Sequence, residues 1–532
     1  MPEDKLYIEK ARRHQARYQK LIRFTSSSTK AAAVMLLAAV ASIIIANTNL
    51  YPAFLEVLAT PVGFVVGTTT VDMTVARVIK EILMALFFLM VGLEIKHEMT
   101  VGELTNVRQA ILPIIAACGG VLVPILIYLA FNMNSPETIK GWAIPSAVDI
   151  AFVLGLIALL GSRVPNGVRV FVGTLAVTDD IIPIVIIAVF YGKAPDLLWT
   201  LITLAVVLVL VIFNRAHVYS LVPYLLIGIV LWYCILMSGI HTAVAGIILA
   251  FIIPTGSRIN MKNFISWSSE KVKTAEEFFE PDAPVAEQKN YMKTVTALSR
   301  VAKQVVPPAT RLEKRLYPWV SFLILPLFAL AYADVRLVDL SLIDTLANPA
   351  FLGVFFGLVV GKPVGILLFS FIMVKLKISK LPAHANWGHM IGAGLLCGVG
   401  FTMAIFITNL AFTEASIVAA AKLGIFCASA VAGIAGFMFL YLQASAAKRK
   451  GITYVSAGNI EMVRQTADSE LLVASQDILD SIDDPELRKE IEAAKESGSV
   501  VEFAVTFAED SSITYHASCW DNDECVLVEK KE

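Results

Sequence analysis

Two carboxylates stand side by side, Asp179 and Asp180, in the otherwise mostly apolar run TLAVTDDIIPIVIIAVFY, residues 174–191. Ionisable side chains inside such a run are costly, and they mark ion paths and proton relays. Three more share the situation: Glu81, Asp149 in GWAIPSAVDIAF, and Lys362 in VVGKPVG. A hard cation such as Na+ or Li+ takes oxygen ligands, which an ionised carboxylate supplies and an ammonium does not. Burial opposes the charged form of either group and pairing favours it, so such groups can trade protons near neutral pH. One oxygen can then hold a proton or a metal ion, and that competition is the basis of cation/proton exchange.

Blander readings stand beside this one. The Asp pair could be a helix end mistaken for a span, or two acids neutralised by buried bases. Against that, Arg163 and Arg169 lie a turn or more away at one end, and apolar residues flank the pair for several turns. Asp149 could serve as a helix cap, and Lys362 could snorkel to an interface. Glu81, near the outer end of its run, reads as structural.

The elements that must position these residues are membrane helices. Of 532 residues, 57% are hydrophobic and 16% charged, with a mean hydropathy of +0.72. These values indicate an all-α polytopic membrane protein. A span needs about 20 mostly apolar residues. Twelve stretches qualify: 31–47, 78–93, 109–131, 141–160, 168–191, 197–213, 221–236, 240–253, 319–332, 351–374, 390–412 and 417–442. Spans 4 and 11 are expected to be broken, because Pro145 sits four residues before Asp149 and GAGLLCGVGFTMAIF carries Gly392, Gly394, Gly398 and Gly400. Proline removes a backbone donor and glycine loosens a helix. Interrupted segments in the two halves of a transporter point to its binding site, where half-helix ends leave partial charges in the membrane. Glycine-mediated packing is the competing reading for the second segment taken alone.

Loop charge sets the orientation. The basic N-terminal segment 1–28, the turn after span 4, the long loop 257–318, Lys375 to Lys380 and Lys448 to Lys450 fall on one side, so both termini are expected in the cytoplasm. The membrane domain is drawn as 29–444. The first 24 residues are too long and too charged for a signal peptide. Within the long loop, 257–310 reads as partly helical and partly flexible. Six cysteines are scattered without a disulfide or zinc spacing. Residues 451–532 hold 19 acids against 6 bases, a net of −13. They read as a small cytoplasmic α+β segment, with a helix over 485–496 capped by Asp484 and strands in SVVEFAVTF and SITYHASCW. Its role is either a solvated appendage or a regulatory domain.

The motifs FFLMVGLEIKHEM, GWAIPSAVDIAFVLGLIALLGSRVP, LAVTDD, SGIHTAVAG, RLEKRLYPWVSFLILPLFA, VGKPVGI and CGVGFTMAIFI closely resemble, in order, those of the NhaA-type Na+/H+ antiporter family over residues 31–442. The resemblance implies inverted repeats, with spans 4 and 11 broken and crossing. It implies a pH-regulated, electrogenic Na+(Li+)/H+ antiporter of the bacterial inner membrane, moving about two protons in per sodium out, without a cofactor. Carried over position by position, Asp180 resembles the principal Na+/Li+ ligand and proton carrier, with Asp179 as its partner in the cation site, paired with Lys362. Asp149, with Lys362, resembles the residues that compensate the half-helix charges. Glu94, Glu98, His241 and Glu313 match positions associated with pH sensing near the cytoplasmic funnel. Membrane lipids are implied partners, as is a second copy of the chain through an extracytoplasmic hairpin in 52–74; no nucleic acid is expected. Two departures stand out. Val148 replaces a usual Thr, leaving Thr178 and Ser146 as nearby hydroxyls, and Ile181, Ile182 and Pro183 replace Leu-Gly-Ala. Pro183 is expected to free a span 5 carbonyl and to kink the helix.

A sodium-coupled solute symporter of the same fold is the alternative. An intramembrane aspartyl protease is disfavoured, because adjacent residues on a helix point about 100° apart and cannot form a facing dyad. A pore would call for charged rings and repeated filters instead of a buried acid–lysine set.

Overall fold

Long apolar runs must satisfy their backbone polar groups internally when they cross lipid, so they fold as helices. A computed structural model of the chain bears this out. It describes residues 20, 24–25, 27–66, 69–102, 105, 107–192, 195–257, 259–281, 283–336, 341–382, 385–449, 501–507, 510–519 and 525–530. Among the described residues nine helices are long and apolar enough to cross a bilayer, or ten if the bent pair Trp387–Leu396 and Phe401–Ala411 counts as one span. The other two expected spans are helical but shorter or interrupted. Residues 78–93 fall on the π turn Ile79–Leu83 and the helix Met84–Thr100, and 240–253 on the helix Ala243–Ile252.

The chain divides into two structural units. One comprises 1–107 and 181–340, and the other 108–180 and 341–532. The first has its apolar core where Leu89 and Leu93 meet Leu231, Ile235 and Leu249. Its helices Met84–Thr100 and Ala243–Ile252 touch through backbone: a Cβ at Gly246 would sit 2.3 Å from the Ala85 carbonyl oxygen. Lys96 holds the end of the short helix, its Nζ donating to the carbonyls of Phe251 at 2.7 Å and Ile253 at 2.5 Å. The expected hairpin exists, but it is confined to the antiparallel strands Pro61–Val66 and Thr69–Thr74. Residues Tyr51–Ala59 before it form a helix. The loop before span 9 is largely helical, with Met261–Glu277 and Lys289–Val305, and the following span begins at Pro308.

The second unit carries the polar residues in question. Its helices Val107–Asn132 and Lys362–Lys375 cross at Gly119 and Gly365, so close that a Cβ at Gly365 would lie 2.1 Å from the Gly119 carbonyl oxygen. A π turn, Gly357–Gly361, precedes Lys362. Pro363 has no N–H to return to the Val359 carbonyl, which accommodates the extra residue of that turn. Pro183 stays inside the unbroken helix Asn166–Phe190. Of the C-terminal segment, the strands Val501–Phe507, Asp510–Cys519 and Cys525–Lys530 form one antiparallel sheet in sequence order. The expected helix over 485–496 and its cap Asp484 lie outside the described residues, as does most of the basic N-terminal segment.

Candidate functional site

Both expected breaks are present. Span 4 consists of a 3-10 turn Ile144–Ser146, an extended Ala147, and the helix Ile150–Leu160. Pro145 explains why: it fits the first turn of a helix but not its interior. Span 11 is the pair Trp387–Leu396 and Phe401–Ala411, bent by 46°. The two breaks meet backbone to backbone, where the Asp149 N–H donates to the Val399 carbonyl at 2.9 Å. Gly400 permits that approach, since a Cβ there would lie 3.0 Å from the Ala147 carbonyl oxygen.

Asp149 stands at the start of both half-helices. Its Oδ1 accepts from the Phe152 N–H at 3.2 Å, capping Ile150–Leu160. Its Oδ2 accepts from the Thr402 N–H at 3.2 Å and the Thr402 hydroxyl at 2.6 Å, at the first turn of Phe401–Ala411. One carboxylate thus faces the positive ends of two helices, the arrangement in which a negative charge is most favoured inside a membrane.

Lys362 is fully buried. Its Nζ donates to Asp179 Oδ2 at 2.5 Å and to the Ser146 carbonyl at 2.5 Å, at the negative end of the 3-10 turn. It does not snorkel. Asp179 is likewise fully buried and Asp180 2% exposed, both in mid-helix, which removes the helix-end reading. Asp179 Oδ1 is buried without a hydrogen-bond donor among the described residues. Pro183, four residues on, lacks the N–H that would serve the Asp179 carbonyl. Thr178 gives its hydroxyl to the Thr174 carbonyl at 2.7 Å, and Ser146 gives its own to Ala143 at 2.7 Å. The second unit therefore brings together Asp149, Asp179 and Lys362, with Asp180 next in the chain. No group of three His, Cys, Asp or Glu suited to a tightly held metal occurs among the described residues. A Na+ ion needs none, because hydroxyl and carbonyl oxygens complete its shell.

The four residues expected at a pH-sensing funnel occupy two places in the first unit. Glu94 interacts electrostatically with Glu98 and Glu313, and Glu313 Oε2 lies 4.0 Å from His97 Nδ1. His241 is not with them. It sits among Glu81 and Lys80, its Nδ1 accepting from the Ala243 N–H at 3.2 Å. Glu94 lies thirteen positions beyond Glu81 along helical chain, about 20 Å at 1.5 Å per residue. Glu81 itself ties segments together: its carboxylate accepts from the Thr242 hydroxyl at 2.6 Å and its carbonyl from Trp232 Nε1 at 3.1 Å.

Sequence reasoning gave Thr402 no role, although a hydroxyl opening a half-helix after four glycines was a usable signal. It also passed over Lys422 in AAAKLGIF, a buried lysine inside the helix Ala415–Arg449. Cys397, fully buried in the second break, lies close enough to Asp179 and Lys362 to feel their charges.

Apolar helices holding two broken spans, three buried aspartates and a buried lysine define a polytopic membrane protein with a charged interior. The model of the family described as Na+/H+ antiporter 1 matches residues 22–440. The Na(+)/H(+) antiporter NhaA of Helicobacter pylori strain J99 is 42% identical over 430 residues, covering 80% of this chain and 96% of its own. The proteins of the same name from Shewanella frigidimarina and Wolinella succinogenes are 40% and 37% identical, covering 79% and 81% of this chain and 96% and 94% of theirs. A solved structure, the sodium proton antiporter MjNhaP1 from Methanocaldococcus jannaschii, aligns at TM-score 0.39 and 14% identity over 77% of this chain and 91% of that one. The chain belongs to the Na+/H+ antiporter 1 family; it is a transporter and not an enzyme.

Proposed function

We propose that the protein exports Na+ or Li+ in exchange for H+, with Asp179 and Asp180 as the exchange site. The observation that carries this reading is the buried Lys362–Asp179 pair beside Asp180. In the proton-loaded state Asp180 is neutral and Asp179 is held by the Lys362 ammonium. A cation entering between the carboxylates displaces the Asp180 proton and competes with Lys362 for Asp179. The released lysine is a buried charge without a counter-ion, so it gives up its proton. Two protons leave for one cation and the site becomes one unit more negative, which makes the exchange electrogenic. Asp149 compensates the positive half-helix ends in both states, and the Lys362 ammonium the negative end of the Ile144–Ser146 turn in the proton-loaded state.

Regulation by pH belongs to the cluster of Glu94, Glu98 and Glu313 and, at its separate position, to His241. Twelve spans, both termini in the cytoplasm of a bacterial inner membrane, a homodimer formed through the hairpin of 61–74, and an acidic regulatory tail over 451–532 complete the reading.

The test uses everted membrane vesicles with an acidified lumen and a pH-reporting dye. Na+ or Li+ is expected to dissipate the gradient for the intact chain and to have no effect for Asp180→Asn. A properly inserted chain without cation-dependent proton movement between pH 6.5 and 8.5 would reject exchange and leave the sodium-coupled symporter as the reading to test.

A further inference from the structure

The described residues of 257–306 are not among those that build the site above, yet they form two further helices. Met261–Glu277 and Lys289–Val305 pack on one another, with the Phe279 and Tyr291 rings 5.2 Å apart, and neither helix contains a fully buried residue. The hairpin is closed at its base, where the Ala309 N–H donates to the Pro254 carbonyl at 3.2 Å. It thus leaves and rejoins the body between two membrane helices, Ala243–Ile252 and the one that begins at Pro308.

Two stripes on this hairpin are exposed. At 100° per residue, Lys289, Lys293, Arg300 and Lys303 fall within about 80° of one another, opposite Val295, Leu298 and Val305. All four are exposed, and the helix contains no acid. On the first helix Met261, Ile265 and Val272 share a stripe separate from the half-buried Phe264 and Trp267, and they are 51%, 63% and 53% exposed. The tether sets the base of the hairpin beside the bilayer that the flanking helices are read as crossing. Its headgroup–acyl boundary accepts apolar side chains from helices lying in the interface, and its cytoplasmic leaflet is anionic. A cationic stripe free of acids complements that surface.

We propose that the hairpin 261–305 lies on the cytoplasmic leaflet, Met261, Ile265 and Val272 seated at the headgroup–acyl boundary and the four cations against anionic headgroups. The proposal rests on the reading of the flanking helices as spans with this loop on the cytoplasmic side. It couples the charge of the leaflet to the helix Pro308–Trp319, which carries Glu313.

The test places a small environment-sensitive fluorophore on Ile265→Cys in the full-length chain, its six native cysteines replaced by serine. A second probe at Val272→Cys serves if the first variant does not fold. The protein is reconstituted into phosphatidylcholine vesicles, or into vesicles with roughly a third phosphatidylglycerol. Quenching is read with a doxyl lipid labelled near the headgroup and with aqueous iodide. Anionic vesicles are expected to give about twofold more lipid quenching and correspondingly less iodide quenching. Lys289→Gln, Lys293→Gln, Arg300→Gln and Lys303→Gln combined are expected to remove that gain. A probe open to iodide in both vesicles overturns the proposal. So does one shielded from both quenchers, which means a protein cover, and so does lipid quenching indifferent to anionic lipid. None of these readings involves ion exchange, so they stand or fall separately from the antiport assignment.

Discussion

The Lys362 ammonium lies 2.5 Å from Asp179 Oδ2 and 2.5 Å from the Ser146 carbonyl oxygen, fully buried. One side chain thereby joins the carboxylate pair to the broken span. Removing a single member of a buried pair costs about 3–5 kcal/mol because the other charge is left alone, whereas replacing both is far milder. Lys362→Met is therefore expected to lower the unfolding temperature in detergent, and Lys362→Met with Asp179→Asn to recover much of the loss. A double variant no more stable than Lys362→Met would mean that the two are not coupled.

Thr402 gives Asp149 both its N–H and its hydroxyl. Thr402→Val keeps the shape and loses the hydroxyl donor, so thermal unfolding should register about 1–3 kcal/mol of destabilisation. Thr402→Ser should stay close to the parent. Equal behaviour of Val and Ser would remove the hydroxyl from the account.

Backbone contact between Gly119 and Gly365 positions the helix that begins at Lys362. Gly365→Ala places a Cβ 2.1 Å from a carbonyl oxygen that no rotamer change can move, whereas a Cβ at Gly173 meets nothing within 4 Å. Initial exchange rates in vesicles should fall at least about tenfold for Gly365→Ala and stay near the parent for Gly173→Ala, as overpacking in a close-packed interface predicts.

The two-place arrangement of the titratable residues in the first unit has its own signature. Interacting residues couple and distant ones add. The shifts in the pH–activity midpoint caused by Glu94→Gln and Glu313→Gln should not add in the double variant. Those of Glu94→Gln and His241→Gln should add, and strong coupling between the latter two would place His241 in the glutamate cluster after all.

Much of this centre was legible in the sequence because charge inside an apolar run is rare enough to stand out: Asp179, Asp180, Asp149 and Lys362 all announced themselves that way. Pro145 and the glycines of 392–400 likewise marked the two breaks. Thr402 did not, since a threonine in an apolar helix costs little and points nowhere until its partner is known. The Ser146 carbonyl is backbone, which composition cannot flag. His241 was grouped with the glutamates because a motif carries no distance, and only the helix from Glu81 to Glu94 separates them. Spans 2 and 8 read as ordinary spans, yet one is interrupted by a π turn and the other is ten residues long, its end completed by Lys96 from another helix.

The most direct measurement is the number of protons released when Na+ binds to the purified protein in weakly buffered detergent solution. If one cation displaces the Asp180 proton and sets Lys362 free to lose its own, about two protons should appear per Na+. By linkage, apparent Na+ affinity should then rise with pH by up to about 100-fold per unit while both protons are in place, because each proton released adds one power of ten. Na+ binding without proton release, or with release of only one proton per Na+, would contradict the exchange site described here.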